Sequence, residues 1–155
     1  MKNKIKILFV LLCFLANQHS FFAQKPNYTG VWKLNLTKSK LQSERSKYIT
    51  DGVFTIKQEG DKFKLSRYFI VNGKKRKLKI TLLANGKERR VKVFFKGKLE
   101  WKGTHLQASI WTKGFSNVVN YQFGSSPNEF IADEVYKSQS ENYHNNWVFD
   151  KSDQK

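Results

Sequence analysis

Residues 62–83 read KFKLSRYFIVNGKKRKLKITLL, two alternating runs that meet at a turn dipeptide. In the first run Phe63, Leu65, Arg67 and Phe69 share one parity, and Lys62, Lys64 and Ser66 share the other. In the second, Leu78, Ile80 and Leu82 oppose Lys77, Lys79 and Thr81. A period of two is the repeat of a strand with one face buried and one in water, because successive Cβ atoms point to opposite sides of a sheet. Asn72-Gly73 between the runs accepts the positive φ of a two-residue hairpin turn at little cost. The stretch therefore predicts a β-hairpin with one apolar and one largely cationic face.

The same rhythm extends in both directions. Gly at 60, 73, 86, 97, 103, 114 and 124 mostly separates alternating runs, which is the spacing of successive hairpins. Strands are predicted at 28–36, 53–58, 62–71, 77–83, 89–95, 98–102, 106–112, 115–123, 129–136 and 145–150. Pro26 and Pro127 interrupt none of them. Residues 37–48 are polar and rich in Lys and Ser, enough for a long loop or one short helical turn. The expected fold is all-β: an antiparallel up-and-down β-barrel of about eight to ten strands, closed so that no sheet edge is exposed. Its core should contain Trp32, Leu65, Ile80, Val93 and Trp101.

The chain has 155 residues and a formal charge of +17, and its apolar and aromatic content is too high for a disordered segment. Lys2, Lys4 and Lys6 precede an unbroken apolar run over 7–16, the pattern of a signal peptide. That run is about half the ~20 residues a membrane helix needs. Residues 1–23 are thus expected to be a signal peptide removed on export to a periplasmic or extracellular space, leaving one domain over 24–155. Cys13 lies in the apolar run, so the remaining domain carries no thiol and no disulfide, and must be held by packing.

Several short motifs carry a resemblance. Thr29-Gly30-Val31-Trp32-Lys33-Leu34-Asn35, then Lys38-Ser39, Gln58-Glu59-Gly60-Asp61, Trp101-Lys102-Gly103 and Val148-Phe149-Asp150-Lys151 together resemble the small secreted bacterial lipocalin-like (calycin-type) domains. Gly-x-Trp on the first strand is the signature that lipocalin and calycin barrels share. The resemblance implies a closed antiparallel barrel with a central cavity and a non-enzymatic binding role. No Arg follows Arg90 and the second lipocalin motif is absent, which leaves Lys151 or Arg67 to cover Trp32. The fatty-acid-binding branch has ten strands and a similar length, and inserts a helical pair where this chain has only the stretch 37–50.

Arg67 shares the parity of Phe63, Leu65 and Phe69, so it should point inward. A buried guanidinium needs a carboxylate or an anionic ligand head. Glu134 is the internal partner if Phe130, Ala132 and Tyr136 mark the inward face of the ninth strand. Trp32, Phe54, Phe63, Phe69, Phe95, Trp101, Tyr121 and Phe149 are inward aromatics that either line a hydrophobic ligand cavity or fill a narrow core.

Charge is unevenly placed. Residues 62–102 hold fifteen Lys or Arg against two acids, while 103–155 hold four against six. Lys62, Lys64, Lys77, Lys79, Arg90, Lys92, Lys98 and Lys102 should form one outer cationic wall, suited to anionic polysaccharide or lipid headgroups. Outward aromatics for base stacking are limited to Tyr68 and Phe94, so no specific nucleic-acid partner is expected. His105 and His144 have no metal-ligand spacing, and the adjacent Asp133 and Glu134 face opposite ways. No catalytic residue, metal or cofactor is expected. The reading is a monomeric binding protein that holds a small hydrophobic or amphipathic, anionic ligand inside the barrel. The alternative is a module that docks on anionic surfaces through the outer wall.

Overall fold

The computed structural model describes residues 25–152; the expected signal segment lies outside them. Ten strands follow in chain order: β1 (Gly30–Leu34), β2 (Ile49–Glu59), β3 (Lys62–Val71), β4 (Lys74–Leu83), β5 (Arg89–Lys92), β6 (Phe95–Lys102), β7 (His105–Thr112), β8 (Phe115–Phe123), β9 (Glu129–Ser138) and β10 (Asn142–Ser152). They form one antiparallel sheet in the order β4-β3-β2-β1-β10-β9-β8-β7-β6-β5. Each of the ten sequence-predicted strands is present, and the pairing of β1 with β10 curls the meander around a single core.

Closure differs from the expectation. The sheet ends at β4 and β5, which form no ladder with each other; across this seam β4 approaches β6. The 84–88 connection spans the seam at one end, where the Gly86 amide donates to the Leu99 carbonyl at 2.9 Å. Both edges are strongly basic, with Lys74, Lys75, Arg76, Lys77 and Lys79 on β4 and Arg89 and Arg90 on β5. Like charges across a ladder disfavour pairing, and Lys-rich edges resist adding a foreign strand. The predicted single outer wall is accordingly split by the seam, with Lys62, Lys64, Lys77 and Lys79 on one side and Arg90, Lys98 and Lys102 on the other. It is also partly neutralised: Lys64 pairs with Glu59, and Lys98 and Lys102 flank Glu100. The side chain of Lys92 lies outside the described part.

Val93 is a second correction. It is 65 % exposed, because a register shift between Arg90 and Lys92 ends β5 early and places Val93 and Phe94 in the β5–β6 turn. Gly97, expected in a turn, instead sits inside β6. A Cβ there would come within 2.8 Å of Val91 Cγ2 and 3.0 Å of the Ser109 carbonyl, so glycine is required by close packing.

Alternating turns give the barrel two ends. One carries the turns at 60–61, 84–88, 103–104 and 124–128, and Tyr28 plugs it. Tyr28 is buried, its hydroxyl donates to the Tyr121 carbonyl at 2.9 Å, and its carbonyl accepts from Trp32 Nε1 at 3.0 Å. Trp32, 1 % exposed, packs on Phe123 and Phe130 and is covered by the Lys151 ammonium, 5.8 Å from its ring centre. The other end carries the turns at 72–73, 93–94, 113–114 and 139–141 together with the 35–48 connection. The helical pair of fatty-acid-binding barrels is replaced there by a strap with a single 3-10 turn, Glu44–Tyr48. The strap is tied to β10 by two backbone hydrogen bonds, Lys40 N–H to the Asn146 carbonyl and Asn146 N–H to the Lys40 carbonyl.

Candidate functional site

The inward face of β3 delivers Arg67, as parity predicts, opposite Phe54 on β2 and Leu78 on β4. Its guanidinium lies over the rings of Phe54 and Phe69, 5.6 Å and 5.4 Å from their centres. Among the described residues it makes no hydrogen bond and no ion pair. The expected partner Glu134 is inward too, but it is held by other groups. Its Oε1 accepts from Asn117 Nδ2 at 2.8 Å, and its Oε2 accepts from Asn145 Nδ2 at 3.0 Å and Trp147 Nε1 at 2.8 Å. Three donors offset the cost of placing this carboxylate inside the barrel. Arg67 and Glu134 therefore face the same space without pairing.

That space is a cavity of about 50 Å³ lined by Phe54, Arg67, Phe69, Tyr121, Glu134 and Trp147. A second cavity, of about 40 Å³ and almost wholly apolar, lies on the other side of Tyr121 against Tyr28, Phe63, Leu65 and Leu106. A water needs roughly 10–15 Å³ measured this way, whereas a drug-sized ligand takes about 300–1,000 Å³. The polar cavity thus has room for a head group and a few waters, but not for a whole lipid. Burial pushes the Tyr121 hydroxyl up to about 12, with Arg67 opposing the shift and Glu134 adding to it. Tyr121 is consequently a neutral donor beside the Arg67 cation at any physiological pH.

The remaining predicted lining residues separate into groups. Phe54, Phe63, Phe69 and Tyr121 border the cavities, and Phe149 borders the polar one. Trp32 and Trp101 border neither; Trp101 stacks against Tyr28 and donates from Nε1 to Asp61 at 3.0 Å, a structural role near the plugged end. Phe95 stands at the opposite end in a row of rings. It meets Phe115 edge-on at 5.5 Å, Phe115 stacks on Tyr136 at 5.5 Å, and Tyr136 stacks on Tyr143 at 4.7 Å. Ile110, with the inward parity of Leu106 and Ala108, is exposed beside this row, so the barrel is open here.

Asn117, Asn145 and Trp147 were not among the sequence-predicted site residues. Asn145 is 1 % exposed, and its Oδ1 accepts the Gln42 and Ser43 amides at 2.7 Å and 3.2 Å, so one side chain joins the strap to Glu134. The signal was the i, i+2 series Tyr143, Asn145, Trp147, Phe149, which puts an amide in line with three inward aromatics. Among the described residues no cluster of three or more His, Cys, Asp or Glu side chains could hold a metal ion.

No protein-family model and no curated protein matches the chain. Solved structures do. A lipid binding protein of Caenorhabditis elegans, LBP-8, superimposes with a TM-score of 0.57 at 16% identity over 84% of this chain and 100% of its own. Zebrafish ileal bile acid-binding protein, in complex with cholic acid, gives 0.55 at 15% identity over 81% and 98%. An abundant heat soluble (SAHS) protein of Ramazzottius varieornatus gives 0.57 at 16% identity over 84% and 98%. At these identities the likeness establishes the fold. The protein has an all-β, calycin-type barrel fold.

Proposed function

We propose that this chain is a non-enzymatic binding protein whose ligand is a small amphipathic anion. Its head is received by Arg67 and Tyr121, and its apolar body runs toward the open end along Phe69, Trp147 and the row of rings from Phe95 to Tyr143. The observation that carries the reading is the half-buried Arg67 guanidinium, turned into the barrel with no hydrogen bond or ion pair among the described residues. An unpaired interior cation is costly unless something complements it, and an anionic head does so with charge-assisted hydrogen bonds. Some of the fold neighbours support the class of ligand: the names of three are a fatty acid transporter, a bile acid-binding protein and a lipid binding protein. The small size of the cavity sets a condition, since entry of the ligand body must move side chains at the open end. Export of the domain, expected from residues 1–23, belongs to the same reading, and N-terminal sequencing of the native protein tests it. A start between Phe21 and Gln24 supports export, and a start at Met1 contradicts it.

The test is a pair of titrations with hexadecanoate and its methyl ester, which share a tail and differ in charge. The acid should bind about ten- to a hundredfold more tightly, the worth of a charge-assisted hydrogen bond of ~1.5–3 kcal/mol. Equal affinities, or binding of neither, would contradict the reading.

A further inference from the structure

The β5–β6 turn is unusual in what it exposes. Val93 and Phe94 are adjacent at its tip, 65 % and 78 % exposed, on a barrel whose other large rings are mostly packed against one another. Phe94 has no ring partner among the described residues. The tip is held in shape: Arg90 donates from Nε and Nη2 to the Val93 carbonyl at 2.9 Å and 2.5 Å. A groove of about 390 Å³ beside it is lined by Glu88, Arg89, Arg90, Val93, Phe94, Phe95 and Lys96.

Beside the tip Lys96 is paired with Glu88 at 2.7 Å, but the other cations around it meet no acid among the described residues. Toward the plugged end and on the flank, cations are committed to carboxylates: Lys25 to Asp61, Lys38 to Glu129 and Asp150, and Lys64 to Glu59. Lys74, Lys75, Arg76 and Lys77, which enter β4 at the Phe94 end, make no ion pair among the described residues, and neither do Arg89 and Arg90 across the seam. The chain thus presents an apolar wedge at its open end with a basic rim on both sides.

We infer that the Val93–Phe94 tip and its basic rim form a docking surface for an anionic lipid bilayer. An anionic polysaccharide would satisfy the rim and leave Phe94 in water. A bilayer takes both, since the ring enters the acyl boundary while the basic residues meet the headgroups. Seated this way, the barrel turns its open end and the seam toward the membrane. The inference stands independently of the interior ligand.

Co-sedimentation of the full-length chain with vesicles tests it, using phosphatidylcholine alone and phosphatidylcholine with 30 mol% phosphatidylglycerol. Binding should appear only with the anionic vesicles and should fall steeply between about 50 and 200 mM salt. Phe94→Ser should weaken it about tenfold with no change in net charge, the effect of withdrawing one large apolar side chain from the acyl boundary. Replacing Lys74, Lys75, Arg76 and Lys77 by Gln should cost about fivefold per residue near the surface. Thermal melts confirm that each variant is folded, and Phe94→Ser should leave the hexadecanoate titration unaltered, so failure of docking is distinguishable from failure of the interior site. Anionic-vesicle binding that Phe94→Ser leaves unchanged would overturn the inference. So would tighter binding to heparin or duplex DNA than to the anionic vesicles.

Discussion

The two ends of this barrel are built from similar residue types and used differently. At the Tyr28 end the aromatic rings are closed against one another and their polar atoms are spoken for: Tyr28, Trp32, Phe130 and Phe149 are fully buried, Tyr28 donates to a carbonyl, and Trp32 donates to Tyr28. At the Phe94 end the rings stand in a partly exposed row. Leu36, Tyr48, Val93, Phe94 and Ile110, the exposed large hydrophobic residues, all lie there or on the strap. Below that row sits an inward Arg67 with no hydrogen bond or ion pair among the described residues. One end has its side chains packed against one another, and the other leaves apolar surface and charge exposed.

The largest effect should come from breaking the plugged end. Trp32→Ala removes a fully buried ring that touches Phe123 and Phe130, and should cost about 3–5 kcal/mol in urea or thermal unfolding. Tyr136→Ala, within the partly exposed row, should cost clearly less. If the two losses were equal, the division between the ends would be wrong.

The strap sharpens the comparison at intermediate scale. Asn145→Ala leaves the Gln42 and Ser43 amides without their partner and removes one of the two donors to Glu134 Oε2, worth about 1–3 kcal/mol. Amide exchange over 40–48 should accelerate while the β8–β9 ladder stays protected. Uniform acceleration would mean that the strap is part of the global fold. Gly97→Ala should cost ~1–3 kcal/mol by overpacking against Val91 and the Ser109 carbonyl. Gly103→Ala meets no atom within 4 Å and should pay only the ~1–2 kcal/mol strain of its positive φ of 63°.

The smallest effect is electrostatic. The hydrogen bond from Asn35, and then Lys38, hold the Asp150 carboxyl below its ordinary value. Because the folded value is depressed, the stabilisation is present above the unfolded pKa of ~4 and disappears as pH falls through the folded value. Melting temperatures of wild type and Asp150→Asn should differ slightly at pH 7 and converge near pH 2; a gap that widens in acid would contradict the sign.

Much of this architecture is legible in the chain itself. Alternation in 62–83 gives the hairpin, its parity points Arg67 inward, and glycine spacing supplies the meander, because one buried face imposes a strict period. The β5–β6 turn is not legible. It contains no glycine, and a register shift before it reverses the parity that had placed Val93 in the core. The seam is hidden for a related reason, since whether two sheet edges meet depends on curvature summed over ten strands. Glu134 could be placed inside only conditionally, because Ile131 and Val135 make the opposite face of β9 equally apolar. Its true partners come from β8 and β10 and are fixed by cross-strand register.

The central claim is that Arg67 is kept unpaired for an anionic head, and one variant measured in two ways tests it. Arg67→Leu, titrated with hexadecanoate and its methyl ester and unfolded in parallel, should lose the preference for the acid while the ester binds as before. Its stability should be held or raised, since no carboxylate is left stranded by the change. An undiminished preference for the acid, or a stability loss of about 3–5 kcal/mol with binding intact, would show instead that Arg67 serves the fold.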